Sequence, residues 1–198
     1  SILSGKGKDV MDKLIRQSIL AGMLVGIGVV IHVTASDKVI GAMLFSFALL
    51  TIIKCNLKLY TGKIGFYQSE TASGLLCMLI FNLVGVLIPT FGVSVCRPSL
   101  REAIVKTSEV KFAGGIPEIF LYGLLCGVLM FLAVYAKDTV ITIFAIMIFI
   151  LSGYEHCIAD FIYLALNFSP GNFVKFLFII LGNSVGSIAA CFLICEKN

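Results

Sequence analysis

Ser152-Gly153-Tyr154-Glu155-His156 interrupts an otherwise apolar run from Thr139 to Leu166. A continuous run of that length would cross a bilayer as one helix, because about 20 apolar residues span the hydrocarbon. This one carries a glycine, a carboxylate and an imidazole in its middle. An ionisable group at that depth costs roughly 3 kcal/mol or more, so such groups normally face a cavity and serve function. The pentapeptide reads as a break in a membrane helix, with His156 directed into a pore.

A second break lies earlier. The run from Val39 is apolar to Ile53, then meets Lys54, Asn56, Lys58, Leu59, Tyr60, Thr61, Gly62 and Lys63. That polar stretch arrives too soon for a comfortable crossing. Irregular backbone at membrane depth is tolerated only where protein or a water cavity satisfies its polar groups.

The rest of the chain agrees with a membrane setting. It is 59% hydrophobic and only 13% charged, with a mean hydropathy of +1.06. A soluble domain is nearer half apolar and about a quarter charged. The short alternating segments of a β-barrel are missing. The class is an all-α polytopic membrane protein. Uninterrupted spans are expected at about Leu14–Val33, Ser73–Val95, Gly115–Ala136 and Phe173–Cys195, with Ser1 to about Lys13 as an amphipathic interfacial helix. No cleavable signal peptide is expected. A polar connection with Arg97, Arg101, Glu102, Lys106, Glu109 and Lys111 separates the third span from the fourth.

The net charge of +4 bears on loop orientation, not on nucleic acid, because no basic run suited to nucleic acid occurs. Lys and Arg lean toward the side of the N-terminus, which favours cytoplasmic termini. The seven cysteines show no CxxC pair and lie mostly in apolar runs. Packing is the expectation for them, with no metal and no cofactor.

The halves repeat. Gly22 and Gly26 match Gly123 and Gly127 at an offset of 101, and Asn82-Leu83-Val84-Gly85 matches Asn183-Ser184-Val185-Gly186 at the same offset. Repeat one covers about 14–95 and repeat two about 115–195, within a single channel domain of 1–198. Three spans per half force opposite insertion, so the prediction is an inverted 3+3 repeat of six spans with the second and fifth broken. Interrupted helices at corresponding places are a pointer to a permeation site. The glycines read as packing devices. Asn82 and Asn183 read as structural groups that hydrogen-bond the freed backbone of the breaks.

Ser-Gly-Tyr-Glu-His, the Leu59-Tyr60-Thr61 interruption, the paired Asn-x-Val-Gly and Leu132-Ala133-Val134-Tyr135 together resemble the formate/nitrite transporter family over nearly the whole chain. The resemblance implies an aquaporin-like fold and a homopentamer with a pore in each protomer, in a bilayer such as a bacterial inner (plasma) membrane. It implies passage of small monovalent anions such as formate, nitrite or hydrosulfide, or their neutral acids, with protons as the second partner. Carried over by position, the central histidine is His156, preceded by Glu155. The loop threonine is Thr61 and the vestibule lysine is Lys111. Apolar constrictions fall on Phe45 and Leu49 on one side, with Phe149 nearby. Leu59 and Tyr60 fall on the gating loop. Two positions depart from the family pattern, Gly127 and Asp160, each where the family usually has asparagine.

A bare anion in an apolar constriction is prohibitively costly, with an idealised Born penalty of about 20 kcal/mol. A weak acid avoids this: a basic vestibule gathers the anion, a proton joins it, and the neutral acid crosses. Lys111 would supply charge, while Thr61 and His156 would supply hydrogen bonds and the proton, histidine's ordinary pKa of about 6.5 being suited to the exchange. Glu155 reads as a structural acceptor, and His32 as a residue facing water. The competing readings are an intramembrane enzyme or redox protein, poorly served by one deep histidine, and a neutral pore for ammonia or water.

Overall fold

The computed structural model describes residues 2–195, with side chains from Gly7 onward. Ser1, the Lys6 side chain and the tail with Lys197 lie outside the described residues. Helix α1 (Ile2–Thr34) runs unbroken. The stretch expected as a separate interfacial helix forms its first turns, because no proline or turn divides residues 2–34. Then come α2 (Lys38–Lys54), α3 (Tyr60–Lys63), a 3₁₀ segment (Ile64–Ser69), α4 (Ala72–Cys96), α5 (Pro98–Lys111), α6 (Ile116–Tyr135), α7 (Thr139–Leu151), α8 (Cys157–Leu166) and α9 (Pro170–Ile194). No strand occurs among the described residues.

Among the described residues, four helices are long and apolar enough to cross a membrane: Gly7–Thr34, Ala72–Cys96, Ile116–Tyr135 and Pro170–Ile194. The other two apolar runs are each split, α2 from α3 and α7 from α8. Both splits use the same device. After α2, the Leu57 amide donates to the Ile52 carbonyl and the Asn56 amide to Ile53. After α7, Tyr154 donates to Phe149 and Gly153 to Ile150. These are Schellman closures, which need a left-handed residue at the turn. Asn56 (φ 50°) and Gly153 (φ 71°) supply it.

The exterior is apolar and the interior holds polar groups. Phe47, Phe144, Leu177 and Leu181 face outward, while Thr61, Asn82, Glu155, His156, Asp160 and Asn183 are buried. A bilayer exterior makes that distribution favourable, since lipid solvates the apolar faces and the polar groups find partners inside. Helix α1 packs along α4, and α6 along α9. A Cβ on Gly22 would overlap the Asn82 carbonyl of α4, and one on Gly127 would overlap the Asn183 carbonyl of α9. Likewise Gly85 abuts the Ile19 carbonyl and Gly186 the Leu124 carbonyl.

Those contacts revise the repeat register. Gly22 is the structural counterpart of Gly127, 105 residues on, and not of Gly123. The sequence shows glycines one turn apart in both α1 and α6, so a one-turn slip matches glycine to glycine and looks correct. Asn82 and Asn183 do correspond at 101. The breaks correspond at 97, Asn56 with Gly153, because α2 has 17 residues and α7 has 13.

The polar connection before α6 is not a simple loop. Pro98 starts α5 at its first turn, and Leu100, Ile104 and Ser108 form its buried side. That periodicity carries Lys111, in the last turn of α5, to the breakpoint of α7 and α8.

Candidate functional site

Each break leaves backbone groups without helical partners, and a buried asparagine meets them. The Asn82 Oδ1 accepts from the Tyr60 amide at 2.8 Å, and its Nδ2 donates to the carbonyls of Ser18 and Lys58, both at 2.8 Å. The Asn183 Oδ1 accepts from the Cys157 amide at 2.9 Å, and its Nδ2 donates to Gly123 at 2.8 Å and Glu155 at 2.7 Å. Both asparagines are fully buried. An unpaired buried peptide group costs about 1–3 kcal/mol, so these two side chains make the breaks affordable.

The restarts then face one another. His156 is the residue before α8, and its Nδ1 accepts from the Ala159 amide at 3.3 Å. Its Nε2 lies 2.8 Å from the Thr61 Oγ1 on α3. Since Nδ1 is an acceptor, neutral His156 carries its proton on Nε2 and donates to Thr61. Phe149 stacks on the imidazole with centroids 5.6 Å apart, and Phe45 meets Phe149 edge-on at 6.3 Å. All four side chains are buried.

Two cavities lie along α2 near this layer. One, of about 80 Å³, is lined by Phe45, Phe149 and His156 together with His32, Lys111, Asp160 and Tyr163. The other, of about 50 Å³, is lined by Leu49, Leu59, Gly62, Lys63, Met130 and Val134 among others. They share no lining residue. Phe45 and Leu49, expected together, therefore line different cavities one helical turn apart. Phe149 sits with Phe45. Tyr60, expected in a gating loop with Leu59, is buried and its hydroxyl pairs with the Ser184 Oγ at 2.8 Å. Leu59 lines the smaller cavity.

Lys111 reaches the larger cavity but not as a free cation. Its Nζ lies 2.6 Å from the Glu155 Oε2 and 3.1 Å from the Asp160 Oδ1, with the Tyr163 ring centroid 5.6 Å away. Asp160 could not be placed from the sequence. It lines the cavity in the first turn of α8, without capping the helix, a role His156 fills. Glu155 is structural through its carbonyl and pairs Lys111 through its carboxylate. Gly127 takes no part: it is a contact point of α6 on α9.

The sequence reading missed His32 and Tyr163. His32 is half-buried instead of facing water, and its Nδ1 has no hydrogen-bond partner. One signal was present, for His32 falls nearly one helical turn after the buried Val29 on α1. All seven cysteines are free, and no group of metal-ligating side chains occurs among the described residues.

A helical membrane protein with one cavity opening onto a buried polar layer, and a second cavity one helical turn further along α2, has the architecture of a channel or transporter. The chain belongs to the formate/nitrite transporter family, which it matches over residues 4–196. Among solved structures it is similar to an FNT family ion channel, with a TM-score of 0.79 and 21% identity over 95% of this chain and 90% of that one. It is similar to a pentameric formate channel with formate bound, at 0.73 and 22%, over 94% of each. The aquaglyceroporin from Plasmodium falciparum, at 0.63 and 14% over 92% of this chain and 95% of that one, has a related fold. No curated protein matches.

Proposed function

We propose that this chain is a channel that passes small monovalent anions of the formate and nitrite type, crossing the narrow layer as their neutral acids. The observation that carries the reading is the layer itself: Phe45 and Phe149 close the path around a single polar pair, Thr61 and His156. Apolar rings exclude an ion, which would lose its hydration there. A neutral acid needs only the one hydrogen-bonding station that the pair provides. With its proton on Nε2, His156 donates either to Thr61 or to an oxygen in transit. The constriction roles follow the same geometry, Phe45 and Phe149 on one side and Leu49 with Leu59 on the other.

The membrane arrangement follows. The split pairs α2/α3 and α7/α8 complete two further crossings, making six, and the three-span halves insert oppositely. The Lys54, Lys58 and Lys63 end then lies with the N-terminus on the cytoplasmic side. Membership of the family and the pentameric formate channel among similar folds support a homopentamer with one pore per protomer.

Stopped-flow uptake into proteoliposomes tests this, comparing formate, nitrite, hydrosulfide and ammonia at neutral and acid pH. Anion uptake that rises at acid pH supports the reading. Ammonia or water flux alone would leave the fold intact and remove the anion assignment.

A further inference from the structure

The larger cavity holds an imbalance. Lys111 is one cation against two carboxylates, Glu155 at 2.6 Å and Asp160 at 3.1 Å. Glu155 is 3% exposed and Asp160 2%. Fully ionised, the three carry a net negative charge in a place where anions must arrive. One oxygen is also left over. Asp160 Oδ1 meets Lys111, but Oδ2 is buried without any hydrogen-bond partner. An ionised carboxylate oxygen can only accept, and no donor of the protein reaches this one. Asp160 and Glu155 both converge on the one Lys111 ammonium, and when ionised both acids are acceptors only. Two carboxylates sharing one site do not both ionise readily.

The groups around Asp160 leave few alternatives. Helix α5 contributes Lys111, with Thr107 neutral beside it. The break before α8 contributes Glu155 and His156, and α8 contributes Tyr163 and Cys157. Helix α1 contributes His32 and α6 contributes Cys126, while α2 and α7 present Phe45 and Phe149. Lys111 is the only Lys or Arg side chain among the cavity's lining residues. His156 has both nitrogens engaged, Nδ1 by Ala159 and Nε2 by Thr61. It is poorly placed to take up a second proton.

We propose that Asp160 is the proton-carrying residue of this cavity, with its Oδ2 holding the proton that an arriving weak-acid anion receives. This rests on the channel reading given above and names the proton donor within it. In the step, the Oδ2–H bond breaks and the proton forms a new bond to an oxygen, nitrogen or sulfur of the anion. Asp160 is left ionised, still paired through Oδ1 to Lys111. The neutral acid moves on past Phe45 and Phe149 to the Thr61 and His156 pair. A proton from bulk solvent, relayed by water in the vestibule, then returns to Asp160. The proton bound at rest makes the cluster neutral overall, so it does not repel the anion.

Two measurements on the purified protein in proteoliposomes decide it. The first is the infrared spectrum of the wild type at neutral pH. It should show the C=O stretch of a protonated carboxylic acid, shifted in D₂O and missing from Asp160→Asn. The second is formate uptake by Asp160→Asn, which keeps an oxygen for Lys111 but cannot give a proton. Uptake should fall about a hundredfold or more at neutral pH, within the range of general-acid effects. It should fall much less at acid pH, where formic acid is supplied by bulk solvent. A wild-type spectrum without that band, or an unchanged pH profile in Asp160→Asn, would overturn the proposal. Wild-type vesicles that pass no weak acid at any pH would contradict the channel reading instead, and the infrared band would still decide whether Asp160 holds the proton.

Discussion

The first break closes α2 on Asn56 and restarts at Leu59; the second closes α7 on Gly153 and restarts at His156. Backbone and support are alike. Each has a Schellman turn, an asparagine from the last long helix of its half, and a glycine where that helix meets its neighbour. The residues placed on this common frame differ. Where one half has Lys58, Leu59 and Tyr60, the other has Glu155, His156 and Cys157. The apolar restart at Leu59 lines the smaller cavity, and the polar restart at His156 lines the larger one. The frame is duplicated, whereas the chemistry is divided between the halves and meets at the bond from His156 to Thr61.

Six substitutions break or sharpen that comparison. The largest effect is expected from Gly127→Asn, which restores the family's usual residue but drives a side chain into the Asn183 carbonyl of α9. No monodisperse protein should be recovered on size exclusion in detergent, whereas a stable, active variant would show that α6 and α9 can separate. Asn82→Ala and Asn183→Ala come next. Each strands one buried amide and two carbonyls, so each should lose about 3 kcal/mol or more by thermal unfolding. Similar losses in both confirm the shared frame, and a loss in only one would mean that the supports are not equivalent.

His156→Asn should then cut formate uptake about tenfold or more, equivalent to about 1.4 kcal/mol, with the oligomer retained. Leu59→Ala, at the matching position, should change uptake far less. Equal effects would erase the division of chemistry between the breaks. Smallest is Lys58→Ala. Its ion pair with Glu70, at 3.8 Å and partly exposed, should contribute less than about 1 kcal/mol. A larger loss of melting stability would point to a structural role for the first break's charges.

Much of this was legible in the sequence for a physical reason. Charges and glycine inside apolar runs announce a break, because a continuous membrane helix tolerates neither well. Asn82 and Asn183 were legible as supports because broken backbone needs buried donors and acceptors. His156 and Thr61 were named from the resemblance, and the structure brings them to 2.8 Å. Other features were hidden. The register of α1 against α6 was ambiguous, since glycines four apart look the same after a one-turn slip. The charge state around Lys111 was hidden because Asp160 approaches it only once α5 packs on α8. His32 looked like a span-end residue until α1 was set against the larger cavity.

The most direct test of the account is a single vesicle experiment that reads formate and protons together. Wild-type proteoliposomes containing a pH-sensitive dye receive an inward formate gradient with the membrane potential clamped at zero and then at an imposed value. Passage as the neutral acid predicts internal acidification in step with formate entry and no response to the imposed potential. Formate entry without acidification, scaling with the potential, would mean that the anion itself crosses the Phe45 and Phe149 layer, and would contradict the account.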